Sequence, residues 1–220
     1  MKFPKGIKEA AKFYIDQGFR PMPIYGVNEG CQHRKTKDSK DCEGQCFGKV
    51  PSEANWPDVP FFSPEQFKET GNLALIMGSQ LDGRWFVGFD IDGKLDLTEF
   101  FDLPETLECT SRRGRHLIFE VHQDAPLGNW NDVLGLRSKT LGYKRNYEGA
   151  LDIKYARGAM VSPPSEAKDG IHYTWKSWRQ PAFLPESEVL FLIRKRKYYV
   201  PNVKRYKRWS LVPSHKGKVP

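Results

Sequence analysis

The chain has 220 residues, enough for one sizeable domain or two small ones. Its formal net charge of +8 points to a polyanionic partner. No stretch approaches the ~20 apolar residues of a membrane span, and Lys2, Lys5, Lys8 and Lys12 interrupt any signal-peptide core, so an intracellular, cytoplasmic protein is expected.

Ile7, Ala10, Ala11, Tyr14 and Ile15 recur at helical spacing, and Gly18 is a natural stop. Arg20-Pro21-Met22-Pro23-Ile24 reads as a short strand, placed at a sheet edge by prolines that cannot donate a ladder hydrogen bond. Residues 28 to 57 form a polar, cysteine-containing excursion. Ser63-Pro64-Glu65-Gln66 has the signature of a helix start, with Ser as N-cap, Pro in the first helical position and Gln three residues after the cap. Gly71 closes that helix, and Leu73 to Met77 is a strand. The apolar run Trp85-Phe86-Val87-Gly88-Phe89, bounded by Asp82-Gly83 and Gly93, predicts a buried strand that ends in Asp90-Ile91-Asp92. Thr106 to Ser111 and His116 to Val121 read as two strands joined by Arg112-Arg113-Gly114-Arg115. Ala150 to Tyr155 and Ala159 to Ser162 read as a second pair, turned at Arg157-Gly158. Glu186 to Ile193 predicts a last helix, and the residues beyond Tyr198 read as a linker.

The most informative feature is Asp90-Ile91-Asp92. Side chains alternate along a strand, so Asp90 and Asp92 share one face while Ile91 enters the core. Two carboxylates on one face repel each other unless a divalent cation lies between them, and hard oxygen ligands suit Mg²⁺ or Mn²⁺. Asp152, between Leu151 and Ile153, can complete such a site. Two ions held ~4 Å apart activate an attacking oxygen and neutralise a leaving phosphate. A calcium loop starting at Asp90 would need a Glu in its twelfth position, where Phe101 stands. Asp is also an ordinary residue at strand ends, so the pair alone leaves both readings open.

Ser111-Arg112-Arg113-Gly114-Arg115-His116 places arginines and a histidine around a turn, a ready phosphate clamp because guanidinium binds phosphate oxygens in pairs. His116 is expected on the face opposite Leu117, Phe119 and Val121. Cys31, His33, Cys42 and Cys46 cluster in the polar loop, and in an intracellular protein such a set reads as one structural Zn²⁺ site, although the spacing is not that of a common finger. Cys109 reads as core packing. Lys49, after Gly48, can reach a phosphate, but the residues of a P-loop are missing around it. Arg194, Lys195, Arg196, Lys197, Lys204, Arg205, Lys207 and Arg208 supply much of the excess charge and read either as a template-binding tail or as a solvated linker.

Taken in order, these segments resemble the bifunctional primase–polymerase (Prim-Pol) domain of the archaeo-eukaryotic primase superfamily, from about Ala10 to Trp175. Gly18-Phe19-Arg20-Pro21-Met22-Pro23 is similar to its opening, Gly48-Lys49-Val50-Pro51 and Trp56 to its lysine–proline segment, and Asn72 to Gly78 to the strand ahead of its first motif. Asp90-Ile91-Asp92 resembles the paired acids of motif I, Gly114-Arg115-His116 the histidine motif, and Leu151-Asp152-Ile153 the single acid of motif III. Val161-Ser162-Pro163-Pro164-Ser165, Gly170, Tyr173 and Trp175 resemble the closing segment. Many members carry Ser where Gly114 stands, which removes a hydroxyl contact there.

The resemblance implies an α+β fold: an RNA-recognition-like antiparallel sheet as catalytic core, packed against an N-terminal α/β module with a zinc-binding loop. It implies a catalytic domain over 1–193, divided into a module over 1–80 with the loop at 28–57 and a metal-binding sheet over 81–183, followed by a basic tail or linker over 194–220. It further implies template-directed addition of nucleotides to a 3′-hydroxyl by two Mg²⁺ or Mn²⁺ ions on Asp90, Asp92 and Asp152. His116, Arg115, Arg113 and Lys49 would bind the incoming dNTP or NTP. The partners would be single-stranded or primer–template DNA and further domains of a longer chain.

Two other classes stay open. Asp90-Ile91-Asp92-Gly93 also resembles the nucleophile motif of haloacid-dehalogenase phosphatases, but Lys94 stands where Thr or Val is usual, and that reading leaves Arg112 to His116 unexplained. A non-catalytic zinc-containing nucleic-acid-binding module suits the basic charge and the cysteines but not the paired acids.

Overall fold

The computed structural model describes residues 3–29, 47–134 and 149–199, and among them the chain builds two α-helices and ten strands. In chain order these are α1 (Ile7–Asp16), β1 (Pro21–Ile24), β2 (Asn72–Ile76), β3 (Gly78–Ser79), β4 (Trp85–Gly93), β5 (Leu107–Thr110), β6 (Gly114–Val121), β7 (Gly149–Lys154), β8 (Ala159–Val161), β9 (Thr174–Ser177), β10 (Ala182–Phe183) and α2 (Glu186–Tyr199). The fold is α+β and mostly antiparallel; among the described strand pairs only β10 and β6 run parallel. No helix among the described residues is long and apolar enough to cross a membrane.

The small sheet has the order β1-β2-β8. The prolines put β1 at its edge, as expected. Residues after the polar excursion cover that edge: Tyr25 N–H donates to the Val50 carbonyl at 2.9 Å and Ser52 N–H to that of Pro23 at 3.2 Å. Helix α1 buries Ile7, Ala10, Ala11 and Tyr14 and stops before Gly18, whose φ of +85° suits a residue without Cβ. Its N-cap is Gly6, which has no side chain to offer. The Glu69 carboxylate takes that role, accepting from Ile7 N–H at 2.8 Å and Lys8 N–H at 3.1 Å.

The large sheet is built on β4, which pairs β6 from Trp85↔Val121 to Asp92↔Gly114 and β7 from Gly88↔Lys154 to Gly93↔Gly149. Beyond β6 lie β5 and then β9. One face buries Val87, Phe89, Ile91, Leu117, Phe119, Leu151 and Ile153 together with Val189 and Leu192 of α2. The other face is divided. Phe86, Leu107 and Ile118 enter a second core with α1, the small sheet and Met160, while Asp90, Asp92, His116 and Asp152 form a polar half. Each fully buried aliphatic or aromatic side chain contributes about 1.5–3 kcal/mol, so the apolar half holds the polar half in place.

Three expectations are corrected. Ala150 to Tyr155 and Ala159 to Ser162 do not pair with each other; β7 joins β4 in the large sheet and β8 joins β2 in the small one. The turn at Arg157 (φ 66°) and Gly158 therefore carries the chain between sheets. Alternation marks a strand but not its partner. The helix expected from Ser63 is a single 3-10 turn, Pro64–Gln66, with Ser63 N–H donating to Gln66 Oε1 at 2.8 Å. Lys68, Glu69 and Thr70 offer no apolar residue for a second turn to bury. The last helix runs to Tyr199 instead of Ile193, so Arg194 to Lys197 lie on a helix and not in a tail.

Tyr14 ties α1 to the segment after β8 and to β9 of the large sheet. Its hydroxyl donates to the Pro163 carbonyl at 2.7 Å and accepts from Trp175 Nε1 at 2.9 Å. Tyr14→Phe leaves both partners without their bond, so unfolding free energy is expected to fall by about 1–3 kcal/mol in urea titrations, with the circular dichroism of the folded protein unchanged.

Candidate active site

Pairing register assembles the site. Asp90 stands directly opposite Asp152 on β7 and directly opposite His116 on β6, so the three form one row across adjacent strands. Asp92, two residues along β4, shares their face. A cleft of about 380 Å³ opens over the row, walled by Lys49, Arg112, Arg113, Met160 and Tyr173.

His116 is buried, and its Nε2 lies 3.3 Å from Asp90 Oδ1. Burial alone would push the imidazole down; the neighbouring Cys109 sulfur and the Asp90 carboxylate outweigh it and push its pKa up to about 10. Burial likewise works to raise Asp90, but His116, Lys154 and Lys49 hold that carboxyl below its ordinary value. The pair is thus ionised on both sides. His116 Nδ1 is buried without a conventional hydrogen bond, and Cys109 occupies the facing position on β5. The Tyr173 ring flanks the imidazole, with centroids 5.7 Å apart. Burial, then the charge of Asp90, raises the Tyr173 hydroxyl well above its ordinary value.

Asp152 is held by the backbone. Its Oδ1 accepts from Asp132 N–H at 2.8 Å, and Lys154 Nζ lies 3.6 Å from Oδ2. Lys49 reaches the cleft from a turn in which Gly48 has φ +70°. Asn72 bolts that turn down, donating to the carbonyls of Gly48 at 3.1 Å and Glu166 at 2.7 Å and accepting from Glu166 N–H at 2.9 Å. A Cβ on Gly114 would lie 1.9 Å from the Ile91 carbonyl oxygen, so this backbone has no room for a side chain there.

Among the arginines the expectation is corrected. Strand β6 begins at Gly114, so Arg115 obeys its alternation and turns to the face opposite His116. There its Nη1 lies 3.8 Å from Glu108 Oε1, away from the cleft. Arg113 lines the cleft as expected, and Arg112 joins it, with Nε donating to Asp169 Oδ2 at 2.6 Å. Arg112 takes its place at the cleft as part of the expected arginine clamp, whereas Lys154 and Tyr173 belong to the site although sequence reasoning gave them no role there. For Lys154 a signal existed, because it follows Asp152 by two residues on one strand.

Oxygen donors alone make up the carboxylate set, which fits a hard divalent ion. The three carboxylates share the cleft without forming a ready-made cage: among the described residues no three His, Cys, Asp or Glu side chains stand together as a metal site. Cys31, His33, Cys42 and Cys46 lie outside the described residues, as do Lys204, Arg205, Lys207 and Arg208. Arg194 and Lys195 sit on α2, which packs on the sheet face away from the cleft; Arg196 and Lys197 continue that helix.

The ionised pair sets a pH dependence. A histidine raised in the folded protein contributes stability below its ordinary value near 6.5 that is lost as pH rises toward about 10. In chelator-treated protein, the stability gap between the native chain and His116→Gln should be widest near pH 6 and close progressively from pH 6.5 to 10, read by urea unfolding. A constant gap would mean that the imidazole is neutral.

The family model described as bifunctional DNA primase/polymerase, N-terminal, matches residues 11–187. In a comparison with curated proteins, none matches. The family match runs from within α1 through both sheets and every wall of the cleft to the start of α2, and so covers most of the sequence; the chain belongs to the Prim-Pol family of bifunctional DNA primase/polymerases.

Proposed function

We propose that the protein is a template-directed nucleotidyltransferase that adds nucleotides to a 3′-hydroxyl, as a DNA primase, a DNA polymerase or both. The observation that carries this reading is the row Asp152–Asp90–His116 on the floor of a cleft edged by Lys49, Arg112 and Arg113. It juxtaposes acids suited to divalent ions with cations suited to a triphosphate, and the family match points to the same chemistry.

Asp90, Asp92 and Asp152 would hold two Mg²⁺ or Mn²⁺ ions, which when bound lower the pKa of the attacking hydroxyl and neutralise the pyrophosphate leaving group. The charged His116, wedged between Asp90 and Tyr173, presents a fixed cation to the phosphates. Arg112, Arg113 and Lys49 bind phosphate oxygens at the rim, the arginines in pairs of hydrogen bonds. The large sheet acts as an RNA-recognition-like catalytic core, with α1 and the small sheet as the N-terminal module, in a cytoplasmic protein acting on primer–template or single-stranded DNA. The test is incubation with primed and unprimed templates, Mn²⁺ and separate dNTP and NTP pools. Asp90→Asn, Asp92→Asn and Asp152→Asn are each expected to lower incorporation by at least about a hundredfold while leaving the fold intact. Near-normal extension by any one of them removes that residue from the site.

Cys31, His33, Cys42 and Cys46 are proposed to close a tetrahedral structural site around one Zn²⁺. Metal analysis of the purified protein should find about one zinc per chain, and a zinc-free protein would overturn the proposal. Lys204, Arg205, Lys207 and Arg208 are proposed to neutralise template phosphates without reading sequence. Replacing all of them with Gln should flatten the salt dependence of single-strand binding by about 0.7 in slope for each phosphate they neutralise, whereas an unchanged slope would leave this segment a linker.

A further inference from the structure

Lys154 has no role in the chemistry proposed so far. It follows Asp152 by two residues on β7 and shares its face. Opposite it on β4 stands Gly88, and the space a side chain would take there is filled by Met160: a Cβ on Gly88 would lie 1.8 Å from Met160 Sδ. The lysine is therefore set beside the carboxylates on a floor closed by the second sheet. Its ammonium lies 3.6 Å from Asp152 Oδ2, too far for a good hydrogen bond, while Asp152 already has its fixed contact in Asp132 N–H at 2.8 Å. Lys154 thus compensates charge without defining geometry.

We infer that Lys154 is a tethered counter-ion of the Asp90–Asp152 pair, which opposes divalent-ion binding until a nucleoside triphosphate draws its ammonium away. The inference rests on the proposed metal role of these carboxylates. With the Lys154 ammonium standing beside Asp152, a divalent ion entering the row meets a cation at close range. A triphosphate reverses this balance, because its oxygens offer the ammonium shorter, charge-assisted bonds than the long contact to Asp152. Ion and nucleotide then favour each other, and by linkage each raises the affinity of the other by the same factor. Lys154 acts as a positioning residue that makes the two ligands bind together.

The test is Mn²⁺ binding to the whole protein without nucleotide, read from the electron paramagnetic resonance of the free ion, for the native chain and for Lys154→Met, Lys154→Gln, Lys154→Arg and Asp90→Asn. Lys154→Met and Lys154→Gln are expected to bind Mn²⁺ about three- to tenfold more tightly, the screened effect of one nearby charge, while Lys154→Arg stays close to the native chain. In the Met and Gln variants, the factor by which Mn²⁺ strengthens binding of a labelled dNTP should shrink correspondingly. Unchanged or weaker Mn²⁺ binding in either variant, when circular dichroism shows it folded, overturns the inference. Asp90→Asn separates the two levels. If it loses Mn²⁺ while the Lys154 variants match the native chain, only the counter-ion role fails; if it binds Mn²⁺ normally, the metal reading itself fails.

Discussion

The register of β4 between β6 and β7 is the constraint on which the rest of the molecule depends. Along its first half β4 is buried on both faces, with Val87 and Phe89 in one core and Phe86 in the other. From Asp90 onward one face turns polar while Ile91 stays in the core. A slip of one residue would drive Asp90 and Asp92 into the apolar core, where an unpaired carboxylate costs several kcal/mol. The register that saves the core is therefore the same one that lines up Asp152, Asp90 and His116. Stability and site geometry share a single determinant.

Close backbone approaches keep that arrangement tight. Gly114 lets the Ile91 carbonyl pass where a side chain would collide, and Gly88 leaves the hollow that Met160 fills from the small sheet. Met160 brings β8 of the small sheet to the wall of the cleft, and the Tyr14 hydrogen bonds to Pro163 and Trp175 tie α1 to the segment after β8 and to β9. Asn72 performs a similar service at the rim, joining the Lys49 turn to Glu166. The cations around the acids reach the cleft from separate loops and strands, which lets an acidic floor and a basic rim coexist: each carboxylate of the row has a partner, His116 for Asp90 and Lys154 for Asp152.

Much of this was legible from residue order. The helical spacing of Ile7, Ala10, Ala11 and Tyr14, the edge prolines of β1, the run ending in Asp90-Ile91-Asp92 and the facing of His116 away from Leu117 and Phe119 all follow from local periodicity, and the structure agrees with each. The error over Arg115 shows where periodicity stops. Its phase was right, but the strand starts two residues earlier than the turn residues suggested, and those two residues move Arg115 from a phosphate clamp to the opposite face beside Glu108. Ser63 and Gln66 similarly make a local cap without the apolar spacing that would extend a helix.

By itself the sequence determined the longer apolar strands, such as β2, β4 and β7, and that acids and a histidine face away from the core, because these are properties of neighbours along the chain; the short strands β3, β9 and β10 carry no such period. Only the tertiary structure decided who stands beside whom. It separated β7 from β8, sending one to the carboxylates and the other to carry Met160 over Gly88. It put Lys154 against Asp152, Tyr173 against His116, and Arg112 in place of Arg115 at the cleft. Such choices depend on pairing between segments far apart in the chain, whose energies come from packing and charge across the whole sheet and leave no period in the sequence to read.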